Sequence, residues 1–185
     1  MKTDLGRACM ISGLIVLILL AKAVAQDCGQ KGGVHFQAKT DKIIFAPRAT
    51  MRVKLMVVNI GEVPWYVSRS PAPCSGAAGF ATVEILDSNN QIVGDLPCIA
   101  DMSLLSDDQL LEVVTNPKFW IQLKPGEIYG QEIDARLPAK KGNYRLRARL
   151  IPPGFKAEQK EMLSKKGISL LKDACIAPFI PITVK

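Results

Sequence analysis

Short stretches of alternating apolar and polar residues, separated by turns rich in glycine and proline, recur along this chain of 185 residues. In the clearest stretch, residues 51–60, Met51, Val53 and Leu55 alternate with Arg52 and Lys54. An alternation of period two places every second side chain on one face of a β-strand. Further strands are predicted at residues 34–38, 42–45, 65–68, 80–86, 91–94, 119–123, 128–137, 144–151 and 179–184. Seven or more short strands with such turns predict an all-β fold, an antiparallel β-sandwich.

Two segments, residues 104–114 and 155–171, break the strand pattern and predict short helical insertions. In the first segment, Ser106 and Gln109 have the spacing of a capping box, and Pro117 ends the helix. The apolar residues of these segments either dock a partner or cover an open end of the sandwich. Covering is favoured because large exposed apolar patches are rare. These residues are Leu110, Leu111, Met162 and Leu163.

The first 25 residues have the pattern of an export signal. Lys2 and Arg7 precede an apolar run over residues 8–21, and Ala23-Val24-Ala25 supplies the small residues that a signal peptidase reads. The apolar run is shorter than the roughly 20 residues that span a membrane. We therefore expect cleavage after Ala25, a single domain over residues 26–185, and a mature protein that is secreted or periplasmic and not membrane-spanning.

Four cysteines remain after that cleavage: Cys28, Cys74, Cys98 and Cys175. An even number of cysteines in an oxidising compartment predicts two disulfides, for which three connectivities exist. We prefer Cys28–Cys175, which ties the two ends of the domain, together with Cys74–Cys98, which closes one central loop. No Cys-x-x-Cys pair is present, so neither a metal site nor any other cofactor is expected.

Catalytic patterns are scarce in the sequence. His35 is the only histidine and lies on a predicted strand, and there is no Gly-x-Ser-x-Gly motif and no phosphate-binding glycine loop. We therefore predict no catalytic residue and no enzyme activity. A hydrolase stays an alternative only if His35 has a serine and a carboxylate within hydrogen-bonding distance.

Three pieces of the chain resemble the immunoglobulin-like domains of secreted bacterial proteins. They are Asn59-Ile60-Gly61-Glu62-Val63-Pro64, Leu123-Lys124-Pro125-Gly126-Glu127 and Gly142-Asn143-Tyr144-Arg145-Leu146-Arg147-Ala148. Among named families, the chain is most similar to the BsuPI-type proteinase-inhibitor domain, over residues 34–150. Because these motifs are structural, the resemblance implies a fold more than a function.

The resemblance implies an immunoglobulin-like antiparallel β-sandwich with two short helical insertions. In that fold, Trp65 takes the core position of the third strand, and the hydroxyl of Tyr144 reaches back to the upstream backbone. Antibody-type domains carry a cysteine on each of two facing strands, and this chain has none in residues 51–60 or 144–151. If the family's function carries over, the proline-rich loop from Arg69 to Cys74 docks into a protease cleft.

A row of arginines is the most informative surface feature. Arg145, Arg147 and Arg149 share one face of a strand at a spacing of roughly 6.5–7 Å. A hairpin with residues 128–137 would set Asp134 and Glu132 against the row. In the immunoglobulin-like arrangement, the row instead lies beside residues 65–68 and 179–184, which contain no acid.

An unpaired arginine face can bind an anionic group. The leading prediction is thus an exported, non-enzymatic binding module with an unidentified protein or anionic glycan as partner. Replacing all three arginines with serine is expected to leave folding intact. The formal net charge is +7, but no clustered basic tail indicates a nucleic acid as partner. The alternative is a proteinase inhibitor that presents Arg69.

Overall fold

A computed structural model describes residues 27–28, 33–69, 77–78, 81–93, 105–171 and 174–185. The predicted signal peptide, residues 1–25, lies outside the described residues. The described strands are β1 (Asp27–Cys28), β2 (Val34–Thr40), β3 (Ile44–Phe45), β4 (Thr50–Asn59), β5 (Trp65–Ser68), β6 (Ala77–Ala78), β7 (Ala81–Leu86), β8 (Trp120–Leu123), β9 (Ile128–Arg136), β10 (Gly142–Leu150), β11 (Cys175–Ile176) and β12 (Ile180–Val184). The described helices are α1 (Asp107–Thr115) and α2 (Ala157–Lys165).

The strands form two larger sheets and one small sheet. One sheet has the order β1-β2-β4-β9, and the other has the order β3-β12-β10-β7-β6, with β11 also paired to β10. The small sheet is the pair β5-β8. Named strands pair antiparallel except for β3 and β12, which are parallel. The prediction of an all-β, immunoglobulin-like antiparallel sandwich with two short helices is confirmed.

The inner faces of the two larger sheets share one hydrophobic core. Along β4, Met51, Val53 and Leu55 are fully buried, as their alternation predicts. Leu146 and Ala148 of β10 are equally buried in the same core. The outward-facing residues between them carry most of the charge of these strands, which fixes the register because a slip by one residue would bury those charges.

The two helices pack against the small sheet around a second core. Helix α1 begins at the Ser106 capping box and ends at Asn116, just before Pro117, as predicted. Leu110 and Leu163 are fully buried, which confirms that these residues cover other elements of the chain. The residues of this second core are Leu110, Val114, Trp120, Phe155, Leu163, Ile168 and Leu170.

Asn59 links two of the motifs that carry the family resemblance. Its side-chain Nδ2 donates to the carbonyls of Val63 and Leu123, both at 2.8 Å, and its Oδ1 accepts from the amide of Gly61 at 2.9 Å. Gly126, at φ +80°, takes the left-handed position of the following turn, and its amide donates to the Asn59 carbonyl at 2.8 Å. The fully buried Asn59 therefore ties the end of β4 to the end of β8.

The resemblance predicted the environment of two aromatic residues. The hydroxyl of Tyr144 donates to the Lys140 carbonyl at 2.7 Å, which confirms the expected contact with the upstream backbone. Trp65 is a core residue, as predicted. Its strand, however, pairs with β8, so the prediction that residues 65–68 flank β10 is wrong. Strand β7 flanks β10 instead, and all six of its residues are buried.

Pro181 lies on a strand that its neighbour only partly covers. Strand β3 pairs with Thr183 and Val184 of β12 and not with the residues before them. The amide of Thr183 donates to the carbonyl of Ile43, so the amides at alternate positions of β12 point away from β10. Pro181 is one of these positions and has no N–H, so it leaves no unpaired donor where β12 lacks a described neighbour on that side.

Candidate functional site

The candidate site is the arginine face, which we define as Arg145, Arg147 and Arg149 on the outward side of β10. All three residues are half-buried, while the residues between them face the core. Strand geometry repeats these side chains at roughly 6.5–7 Å. The sequence prediction that the three arginines share one face is therefore confirmed.

The neighbours of the arginine face differ from the predicted ones. Strand β10 lies between β7 and β12, with Arg147 opposite Glu84 and Arg145 opposite Pro181. The prediction of residues 179–184 as one neighbour is thus confirmed. A hairpin with residues 128–137 does not form, because that segment pairs with β4, where Glu132 and Asp134 lie near Arg52.

A single buried carboxylate bridges two of the arginines. Glu84 Oε2 accepts from Arg147 Nε at 2.5 Å, and Glu84 Oε1 lies 3.4 Å from Arg149 Nη1. The Glu84 side chain is only 5% exposed, against 25% for Arg147 and 39% for Arg149. The prediction of an unpaired arginine row is therefore wrong, because a carboxylate buried in an apolar strand requires cationic partners.

Arg145 has different partners from the other two arginines. Its Nη2 donates to Oδ1 of Asn90, a residue in the turn that follows β7. Its guanidinium carbon lies 5.1 Å from the centre of the Phe179 ring. That distance is within the range of a cation–π interaction, which holds the guanidinium over the ring.

Beside the arginine face runs an apolar strip, which we define as Ile44, Phe179 and Pro181. Phe179 is 47% exposed and Ile44 is 51% exposed, and Pro181 is exposed as well. Ile44 reaches the strip because β3 pairs with β12 opposite Thr183. The outward surface of this sheet therefore combines a basic row with exposed apolar side chains.

The arginines keep hydrogen-bond donors for a ligand. A guanidinium has five N–H groups, and Glu84 engages only Nε of Arg147 and Nη1 of Arg149. Donors in this arrangement suit carboxylate, sulfate or phosphate oxygens, which guanidinium groups bind with two parallel hydrogen bonds.

Arg69 lies apart from the arginine face. Its Nη1 donates to the Pro117 carbonyl at 2.9 Å and its amide to the Phe119 carbonyl at 2.8 Å, so the chain after β5 is held to the end of α1. Burial raises the pKa of Tyr129 above its usual value, and the charge of Arg69 partly lowers it. Residues 70–76, including Cys74, lie outside the described residues, so the inhibitor role of this loop stays a prediction.

His35 has no catalytic partner among the described side chains. It lies half-buried on β2, and its Nε2 is within 2.5 Å of the side-chain amide of Gln37. The described residues contain no group of three or more histidine, cysteine, aspartate or glutamate side chains that could hold a metal ion. None of their helices is long and apolar enough to cross a membrane.

Of the four cysteines in the two predicted disulfides, the structure describes the side chain of Cys175. Cys175 is buried at 2% exposure and carries a disulfide bond. It lies opposite Leu150 on β11, and Cys28 lies on β1 at the register position opposite Val34. The side chains of Cys28, Cys74 and Cys98 lie outside the described residues, so the Cys28–Cys175 and Cys74–Cys98 pairings stay predictions.

Comparisons with known proteins leave the family open. No family model and no curated protein matches the chain. Among solved structures, the C-terminal domain of Wzt is similar at 9% identity and a TM-score of 0.46, over 88% of this chain and 78% of that one. The CARDB domain of the PF1109 protein from Pyrococcus furiosus, in complex with di-metal ions, is similar at 11% identity and a TM-score of 0.38, over 82% and 91%.

A solution NMR structure of the same CARDB domain is similar at 11% identity and a TM-score of 0.36, over 82% of this chain and 93% of that one. These scores are too low to carry an argument about the site. The specific resemblance to the BsuPI-type domain stays a prediction.

Sequence reasoning missed Glu84, Asn90 and Phe179 as members of the site. One signal was available for Glu84, which is the only charged residue among the mostly apolar residues 81–86, although the sequence does not show which strand lies beside it. Phe179 and Asn90 carried no such signal, because their contact with Arg145 depends on how β12 and the turn after β7 pack.

Proposed function

We propose that this protein is a non-enzymatic interaction module that binds an anionic partner through the arginine face. The proposal rests on one observation: among the described residues, Glu84 and Asn90 engage only some of the N–H groups of the arginine face, which lies beside the exposed apolar strip. Arginine and aromatic residues are the types enriched where proteins bind partners. A guanidinium offers several hydrogen-bond donors and no acceptor, which suits binding to an anion.

The setting of the proposal comes from the sequence alone. We propose that residues 1–25 are removed after Ala25, that residues 26–185 form one domain, and that the mature protein is secreted or periplasmic. The two disulfides proposed above suit that oxidising setting. Anionic glycans and acidic proteins are both accessible to an exported module.

Binding to immobilised heparin and to poly-glutamate at low and physiological salt tests the function. We expect binding that weakens with salt, because screening reduces contacts between exposed charges. Arg145→Ser should weaken it, whereas Arg52→Ser is the matched control, since Arg52 is 62% exposed on the opposite sheet and lies near Glu132. The function is refuted if neither polyanion binds, or if the two variants behave alike.

A further inference from the structure

We infer that the partner is an extended acidic peptide whose glutamates alternate along its sequence. The inference rests on the proposed function and names the partner of the same face. Arg145, Arg147 and Arg149 repeat every second residue, at roughly 6.5–7 Å. Side chains on one face of an extended peptide repeat at the same distance, so alternating acidic residues match the row one to one.

The guanidinium groups are held in place before a partner arrives. Glu84 on the neighbouring strand β7 anchors Arg147 and Arg149, and Asn90 and Phe179 anchor Arg145. Ordering a long side chain on binding costs about 0.5–1.5 kcal/mol. A row that is already ordered avoids part of that cost. It therefore favours a ligand whose acidic groups repeat at the spacing of the row over a ligand whose acidic groups are irregularly spaced.

The apolar strip selects a peptide side chain with an apolar stem. Pro181 lies directly opposite Arg145, and Phe179 lies under its guanidinium. A glutamate carboxylate bound to Arg145 places its methylene groups on these side chains, as long polar side chains commonly do on apolar surfaces. A charge row without such a strip would suit a sulfated sugar equally well.

Two capped peptides of identical composition test the inference. In one, three glutamates alternate with serines, and in the other the three glutamates are consecutive. Fluorescence anisotropy with the purified protein should show the alternating peptide binding about tenfold more tightly, since a lost charge-assisted contact is worth about that factor. Phe179→Ser should reduce the preference, because it removes the ring that holds the Arg145 guanidinium in place, and Arg52→Ser should retain it.

Each other outcome has a defined meaning. If both peptides bind equally and Arg145→Ser weakens both, the spacing inference is overturned and the proposed function stands. If heparin binds through the arginine face and neither peptide does, the partner is a glycan and the inference is likewise overturned. If no probe binds, the inference and the proposed function both fail.

Discussion

Glu84 is the residue whose replacement tests the description of the arginine face most directly. Its carboxylate is 5% exposed and contacts two guanidinium groups. The substitution Glu84→Gln keeps the size and one acceptor oxygen but removes the charge. Arg147 and Arg149 then face each other's charge with no carboxylate between them.

The expected cost follows from burial. Removing one partner of a buried ion pair costs about 3–5 kcal/mol, and a hydrogen bond to a charged group contributes about 1.5–3 kcal/mol. Because Arg147 and Arg149 are 25% and 39% exposed, water solvates part of their charge. We therefore expect a loss in the free energy of unfolding of about 2–3 kcal/mol, which lowers the Tm by roughly 4–12 °C.

Urea unfolding followed by tryptophan fluorescence measures the loss, because both Trp65 and Trp120 are buried. The control is Glu132→Gln, whose carboxylate is 51% exposed and lies near Arg52 and Lys54. Exposed pairs contribute about 0–1 kcal/mol, so this variant should change little. If the two variants unfold at the same urea concentration, Glu84 does not anchor the face and the reasoning is refuted.

Three further predictions concern other parts of the fold. Asn59→Ala removes three hydrogen bonds and leaves their backbone partners unsatisfied. The free energy of unfolding, measured with urea, should therefore fall by about 2–4 kcal/mol, and a loss under about 0.5 kcal/mol would contradict this. Because burial raises the pKa of Tyr129 above 10.0, the folded state keeps a proton that the unfolded state loses, and stability should fall as pH rises above about 10. Ultraviolet titration checks this, and Arg69→Ser should move the Tyr129 pKa further upward. Peptide mapping of the oxidised protein should find Cys28 linked to Cys175, and any other partner for Cys175 would refute the proposed pairing.

The structure also changes one expectation from the sequence. Replacing the whole arginine face with serine was expected to leave folding intact, since an unpaired row contributes little to stability. With Glu84 buried beside the row on strand β7, the triple replacement leaves an uncompensated carboxylate and should destabilise the protein. The triple variant should therefore unfold at a lower urea concentration than Arg145→Ser, which leaves both arginine partners of Glu84 in place. Equal urea midpoints would show that the row contributes little to stability.

Local patterns predicted most of the elements of this fold. Three of these patterns involve residues close together in the chain, where sterics and short-range hydrogen bonds decide the conformation. They are the alternation in residues 51–60, the Ser106 capping box and the hydrogen bond from the Tyr144 hydroxyl to the Lys140 carbonyl. Strand neighbours were harder to predict. Residues 65–68 pair with β8 instead of β10, because pairing between distant segments depends on the packing of the whole core.

The same limit applies to the candidate site. The sequence placed Arg145, Arg147 and Arg149 on one face, since that needs only the period of a strand. It could not place Glu84 and Phe179 against them, because those contacts depend on which strands flank β10. The electrostatic character of the face is therefore a property of the tertiary fold.

Pro181 has a consequence for self-association. A partly open strand offers amides that a second molecule can capture, and strand exchange of this kind leads to aggregates. Pro181 has no backbone N–H at the position of β12 that β3 does not pair with, so a second strand finds no donor there. The sheet can thus display Phe179 and Ile44 to a partner while its adjoining edge discourages the growth of fibres from copies of itself.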